Sequence, residues 1–489
     1  MDDLRPLPEE LRAELARAAG GWDANLERAA QRAYQARTAG EMLSAEREVH
    51  EAMRRRADSV FGTILEAVAR DSEFTDQARR QVRQLATEAG VKLESHGARV
   101  TRVRLLGGTV RRFRTLLLLP ATPSDPALRK PHGKHGAAGS GVYPVLAMLG
   151  ITDQSTPALL AAVGREVVAA NSVSAARDAM KQRELDIQHK TALRLTYALG
   201  ERALRVRDEL RTLSPTPGMP LPLAGKRVVA SLDGGRLRIK GTAKSANGSR
   251  KYNAPWREPK LLSIYAVDEN GKRDKAVDTL IDGTMGDADD IVALVIGHLR
   301  KLGAHQALEV TFIADGAPWI WARAAQIRDA VGIPLERWLE RLDYYHAVEY
   351  LGKVAGLALA LNDAERKAWV ADRKPSLFEG DIAEILAGLR LFGNTHDLDT
   401  GPAQRFFQEH ASRIGYTASK LGGGPIGSGG MESAVRRVVN LRMKGNSIFW
   451  LEEHAEAVLH MRAHLMAGRW DQMVLDAISM RGWTRRTAA

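Results

Sequence analysis

The sequence predicts an α/β protein: a mixed β-sheet core with a helical insertion, preceded by a mostly helical N-terminal half. Three observations lead there. Residues 1–98 are rich in Ala, Glu, Arg and Leu and hold no proline after Pro8. A stiff stretch, Ser214-Pro215-Thr216-Pro217-Gly218-Met219-Pro220, then interrupts the chain. Beyond it, short apolar runs of strand character alternate with segments of helical periodicity.

Within 1–98, Ile64, Leu65 and Val68 recur at helical spacing near Arg54-Arg55-Arg56 and Arg79-Arg80. That pattern predicts a basic helical domain suited to the DNA backbone. Segment 99–150 changes texture. Val103 and Leu105, then Val110, Phe113 and 116–119, predict two strands about a Gly107-Gly108 turn. A loop rich in Pro, Gly, His and Lys follows over 120–141. Its His132 and His135 lack the cysteine or acidic partners that a metal site would need. Helices return over 151–213, and the linker 214–220 marks the main domain boundary.

The core begins in 221–350. The run 228–232 ends in Asp233, and 236–240 is expected to continue it or pair with it. A second strand spans 261–267 and a third 276–282, with Asp268-Glu269-Asn270-Gly271 as the hairpin turn. A helix follows, capped by Asp287, striped by Ile291, Leu294, Val295 and Leu299, and closed by Gly303. Strand 308–314 ends in Asp315, 319–331 is helical, and the short strand 338–342 ends in Asp343. The helical insertion occupies 351–420, and 421–489 returns to the core with a helix bearing Glu432 and further C-terminal helices. The order β-β-β-α-β-α-β is that of an RNase H-like core, its early strands antiparallel and its later ones parallel.

Composition narrows the function. The chain of 489 residues has no cysteine, which excludes disulfides, thiol catalysis and thiolate zinc sites. No apolar run approaches the roughly 18 residues that span a bilayer. The opening Met1-Asp2-Asp3-Leu4 has no apolar targeting segment, so a cytoplasmic, nucleoid-associated protein without a membrane partner is expected. A net charge of +12 and an isoelectric point near 9.8 favour a polyanionic partner. There is no phosphate-binding Walker loop, dinucleotide fingerprint or nucleophile elbow.

The candidate chemistry is acidic. Asp233 and Asp315 each end a central strand and each precede a glycine. Ligands gather at strand ends, and a buried carboxylate without a partner is costly. Glu432 follows the glycine-rich stretch 422–430 on the first turn of a helix, for which Ser428 is the expected N-cap. Met431, Ala434, Val435, Val438 and Val439 form that helix's apolar face, and Arg436, Arg437, Arg442 and Lys444 supply charge. Each carboxylate also has a structural reading, Asp-Gly as a turn and Glu432 as a partner of the helix dipole. Three carboxylates together suit two hard cations about 3.5–4 Å apart. Trp319 and Trp321 read as helix–sheet core, and His454, His460 and His464 as a solvated or partly packed face.

The ordered series Asp233-Gly234, Trp256-Arg257-Glu258-Pro259-Lys260, Asp315-Gly316-Ala317-Pro318-Trp319-Ile320-Trp321, Asp343-Tyr344-Tyr345-His346, Gly427-Ser428-Gly429-Gly430-Met431-Glu432, Arg442-Met443-Lys444-Gly445-Asn446 and Trp450 resembles the DDE transposases of bacterial insertion sequences. The resemblance is to the Kra-type group, related to Mutator-like transposases, and covers about residues 225–465. It implies that Asp233, Asp315 and Glu432 are catalytic ligands of two Mg2+ or Mn2+ ions. It further implies cleavage at element ends, strand transfer into target DNA, and a homodimer or higher oligomer on double-stranded DNA. Asp343 and His346 would contact DNA or orient a ligand, as would Arg436, Arg437, Arg442 and Lys444. Asp343 can equally be a helix cap with His346 in the first turn. Relatives often carry a Cys-rich zinc ribbon, and 99–150 stands at its position as a metal-free remnant. Two further readings stay open: a structure-selective nuclease, and a catalytically silent RNase H-like DNA-binding protein.

Overall fold

In the computed structural model the described residues are 7–20, 24–121, 141–212, 221–240, 254–446 and 448–480. His132, His135 and the linker 214–220 lie outside them. The chain divides into two units: Met1–Val206 with Asp471–Ala489, and Arg207–Trp470.

The first unit opens with α1 (Glu9–Ala19), α2 (Ala24–Gln35), α3 (Ala39–Arg70) and α4 (Ser72–Glu88). Thr38 starts α3 with a capping box: its hydroxyl accepts from the Glu41 backbone N–H, and the Glu41 carboxylate accepts from that of Thr38. A hairpin follows, β1 (Leu93–Arg104) and β2 (Val110–Pro120), paired antiparallel. β1 begins inside the span expected to be helical. The helical run ends at Glu88, Gly90 turns the chain at φ +74°, and Leu93 is buried with Val82, Ala86 and Leu118. Asp58 of α3 is buried and accepts from the backbone N–H groups of Gly107 (2.9 Å) and Thr109 (3.0 Å), so one carboxylate fastens the hairpin turn to the long helix. Then come α5 (Pro144–Met148), α6 (Pro157–Ala169), α7 (Val173–Gln182) and α8 (His189–Asp208), within which the division between units falls.

The second unit contains β3 (Arg227–Gly234), β4 (Leu237–Arg238), β5 (Trp256–Arg257), β6 (Lys260–Val267), β7 (Leu280–Thr284), α9 (Ala288–Leu302), β8 (Glu309–Ala314), α10 (Pro318–Val331) and β9 (Trp338–Leu342). Five strands form one mixed sheet in the order β7-β6-β3-β8-β9. β6 pairs antiparallel with β3 and β7, while β8 pairs parallel with β3 and β9. The 236–240 segment neither extends β3 nor pairs with it. Gly235 donates to the Pro259 carbonyl at 2.9 Å and the chain leaves the sheet, so β4 joins β5 in a separate ribbon. The third strand starts later than expected, at Leu280, because Asp274 and Ala276 form a side-chain-stabilised turn ahead of it. The helix over Ala288–Leu302 has the expected Asp287 capping box and Gly303 closure at φ +79°.

Strand alternation sorts the sheet into two faces. Val228, Ala230 and Leu232 join Phe312, Ala314, Ile291, Leu294 and Ile320 in the main core. On the other face Val229 and Ile313 pack with Val267 and Tyr265. The insertion comprises α11 (Tyr344–Gly356), α12 (Asp363–Glu379), α13 (Ile382–His396), α14 (Gly401–Glu409) and α15 (Thr417–Leu421). Its Leu377, Leu389, Phe407 and Tyr416 belong to the same core as the sheet, so it is part of one packed body. The chain then forms α16 (Gly429–Val435), which continues as a π-helical turn over Arg436–Asn440, α17 (Glu452–Met466) and α18 (Trp470–Ile478). α16 rests on β3 and β6. Among the described residues no helix is long and apolar enough to cross a membrane.

Candidate active site

The parallel register aligns Leu232 with Ala314, so Asp233 and Asp315 are the next residues on adjacent strands that run about 4.8 Å apart. By alternation both fall on the face of Val229 and Ile313, against which α16 packs. Asp233 Oδ1 accepts from Gly234 N–H at 2.6 Å, and Asp315 Oδ1 from Ala317 N–H at 3.0 Å. Trp321 Nε1 donates to the Asp315 carbonyl at 2.6 Å and fixes the start of α10. The glycines after the two aspartates answer to protein neighbours. A Cβ on Gly234 would lie 2.3 Å from Glu258 Oε1, and one on Gly316 would lie 2.1 Å from the Phe406 ring.

Both aspartates line a cavity of about 370 Å³, with Glu258 beside them and Val435, Asn440 and Lys444 also in its wall. Glu432 itself is solvent-exposed on the first turn of α16. Burial, followed by the negative charges of Asp315 and Glu432, pushes the Asp233 carboxyl up to about 6, against the opposing pull of Gly234 N–H and His346. Of the three predicted carboxylates, Asp233 and Asp315 line the cavity and Glu432 does not, its charge being the smallest of these influences on Asp233.

Asp343 ends β9 and is buried. Its Oδ1 accepts from the backbone N–H groups of Tyr345 (2.7 Å) and His346 (3.1 Å), which caps α11. Its Oδ2 accepts from Ser428 N–H at 2.6 Å and from the Ser428 hydroxyl, and lies 3.4 Å from His346 Nδ1. Burial would raise the Asp343 carboxyl, but hydrogen bonds from His346 and Ser428 hold it at about 2. His346 is pushed up to about 9, by Asp343 first and against partial burial, with Asp315 and Asp233 adding to the rise. It is an imidazolium at neutral pH. Ser428 does not cap α16 with its side chain as expected, because its hydroxyl is committed to Asp343; backbone bonds from Met431 (2.6 Å) and Glu432 (3.1 Å) to the Ser428 carbonyl start the helix. One carboxylate thus joins the end of β9, the start of α11 and the loop that delivers Glu432.

The four basic residues on the Glu432 segment divide. Arg436 is exposed, and Lys444 is exposed on the cavity wall with its ammonium 5.9 Å from the Trp256 ring, which Arg238 approaches at 4.8 Å. Arg437 donates to the Met466 carbonyl at 3.1 Å and closes the end of α17. Arg442 is buried 5.2 Å from the Trp450 ring. Sequence reasoning placed it among the residues that contact DNA or the active site, and here its guanidinium lies over an aromatic ring instead of in solvent. Trp321 is core as expected, edge-on to Phe312, whereas Trp319 lines the cavity. Glu258 also lines the cavity; sequence reasoning named it only within the resembling series and not as a site residue, and it stands exposed two residues before β6.

No family model matches the chain, and no curated protein matches its sequence. Among solved structures it is similar to the Drosophila P element transposase strand transfer complex, at 10% identity and a TM-score of 0.23, over 66% of this chain and 84% of that one. A likeness at that level carries no argument about fold or activity. The transposase reading and its Kra-type subtype rest on this chain's own residues.

Proposed function

We propose that the chain is a DNA transposase with an RNase H-like core in which Asp233, Asp315 and Glu432 hold two Mg2+ or Mn2+ ions. The observation that carries the reading is the alignment of Asp233 and Asp315 on adjacent parallel strands, with Glu432 near enough to raise the Asp233 carboxyl. The sheet order, three antiparallel strands continued by two parallel ones, supports the core assignment.

The donor set fits hard divalent cations. Asp233 is pushed up first by burial and then by neighbouring carboxylates, and all-oxygen ligands are those that Mg2+ takes. When bound, such ions activate the attacking oxygen and stabilise the leaving one in a phosphoryl transfer. The chain's own groups do the rest. Arg436 and Lys444 contact the phosphate backbone, Asn440 and Trp319 shape the cavity, and the His346 cation offsets part of the acidic charge. Asp343 acts through Ser428 to fix the approach of α16. The substrate is double-stranded DNA, nicked at the ends of the element and joined through the freed 3′-hydroxyl to a target, by a protein assembled as a dimer or larger.

Plasmid nicking in Mg2+ or Mn2+ tests the reading. Asp233→Asn, Asp315→Asn and Glu432→Gln should each reduce nicking below detection while DNA binding is retained or strengthened. Undiminished nicking by Glu432→Gln overturns the assignment. Joining of a pre-cut 3′-hydroxyl end to target plasmid separates a transposase from a nuclease.

A further inference from the structure

A second cluster of metal-ligating side chains lies in the same unit and shares no residue with the acidic cavity. Asp282, in the middle of β7, has no solvent exposure. Its Oδ1 accepts from Gly283 N–H at 2.8 Å and faces His460 Nδ1 at 2.7 Å, and its Oδ2 faces His298 Nε2 at 2.9 Å. His460 is buried too, and His454 and His464 are partly buried, so of the solvated or partly packed face expected for these histidines the packed alternative holds. His464 follows one helical turn later, its ring centroid 4.6 Å from that of His460. The His464 Nδ1 atom is buried and makes no hydrogen bond.

We propose that Asp282, His460 and His464 form a structural site for a zinc-class ion. One donor atom from each of the three lies within 4.8 Å of the others. Bonds of about 2.0–2.1 Å in tetrahedral geometry set donors about 3.3 Å apart, so binding would draw these donors together. Two histidines at i and i+4 on one helix face, joined by a carboxylate from a facing strand, are a common transition-metal donor set. Imidazole nitrogens favour zinc over magnesium, so this site differs in kind from the all-oxygen cavity.

The surroundings support a built site. His298 Nε2 holds the second carboxylate oxygen, as outer-shell partners of metal ligands do. Arg207 stands nearby, donates to the Gly283 carbonyl at 3.0 Å and is paired with Glu456 at 2.7 Å. The ion would pin β7 to α17. Arg462, between the two histidines in sequence, donates from Nε to the carbonyls of Arg437 and Val438, each at 2.9 Å. The pinned helix is therefore the one that supports the Glu432 segment from behind.

The test is zinc binding by the full-length, chelator-treated chain, followed by calorimetry, metal analysis and the visible absorption of a Co2+ substitute. To keep the acidic cavity out of the measurement, Asp233→Asn/Glu432→Gln serves as the parent. The expected result is one equivalent bound, a four-coordinate Co2+ spectrum and a raised Tm. His464→Ala, which removes no hydrogen bond made by the ring, should weaken binding at least 10-fold, and His298→Gln by about 10–100-fold, as outer-shell losses do. Absence of stoichiometric zinc in the parent overturns the proposal. So does equal binding by a folded His464→Ala variant. Neither result depends on whether the protein nicks DNA.

Discussion

Asp343 shows how much one side chain can organise. It satisfies two orphan N–H groups of α11, receives two hydrogen bonds from Ser428 and sits beside His346. Its carboxyl lies at about 2 against an ordinary 3.8, and His346 at about 9 against 6.5. The depressed acid contributes stability that is complete above about 4 and is lost as pH falls through about 2. The raised base contributes stability that is complete below about 6.5 and is lost as pH rises through about 9. In metal-free protein the melting temperature should therefore decline between pH 6.5 and 9, and His346→Gln should flatten that decline. An identical alkaline decline in wild type and variant would remove His346 from the account. The Asp343 cap on α11, with His346 in its first turn, was readable from residue order, but the Ser428 partner was not. Asp343 and Ser428 are 85 positions apart, and a serine before a helix looks like a cap until the fold supplies a stronger acceptor. The same holds for Arg442 and His460, polar in sequence and buried by contacts that only tertiary packing creates.

At the level of elements, the sheet was largely legible. Strands 228–232 and 338–342, the Asp287–Gly303 helix and the placement of two aspartates at strand ends follow from periodicity and end signals that act over a few residues. The ribbon of β4 with β5 was not, because it depends on where Pro259 meets Gly235. Gly316 tests how tightly the insertion grips the site. Gly316→Ala sets a Cβ against the Phe406 ring, and overpacking of that kind costs about 1–3 kcal/mol. Adding Phe406→Leu should recover part of the loss, read as non-additivity in a double-mutant cycle of chemical denaturation. Strict additivity would mean that the ring moves aside at no cost. The π turn over Arg436–Asn440 sits between Glu432 and Lys444, and the Leu441 N–H to Arg436 carbonyl bond at 2.9 Å marks its wider ladder. Such turns recur at functional sites.

For the whole molecule, charge sets the terms of association. At +12, with Arg436 and Lys444 exposed near the acidic cavity, DNA affinity should fall steeply as salt rises. Replacing either residue with alanine should weaken binding about uniformly across sequences and reduce the salt slope by about 1. A slope unchanged in both variants would put the phosphate track elsewhere. Residues 1–98 carry 15 Lys and Arg against 18 Asp and Glu, so the basic domain expected there is basic only in local clusters such as Arg54-Arg55-Arg56 and Arg79-Arg80, and the return of the C-terminal residues to the first unit had no local signal at all. That return has a consequence in time. Arg202, buried in the first unit, gives its guanidinium to the carbonyls of Ala477 (2.7 Å) and Ser479 (3.2 Å), acceptors that the ribosome makes 275 and 277 residues later. At about 5–20 residues per second, Arg202 waits on the order of 14 to 55 seconds for them. The second unit, contiguous from Arg207 to Trp470, is fully synthesised within that wait. The first unit therefore cannot close its contacts around Arg202 until after the second has left the ribosome's active centre.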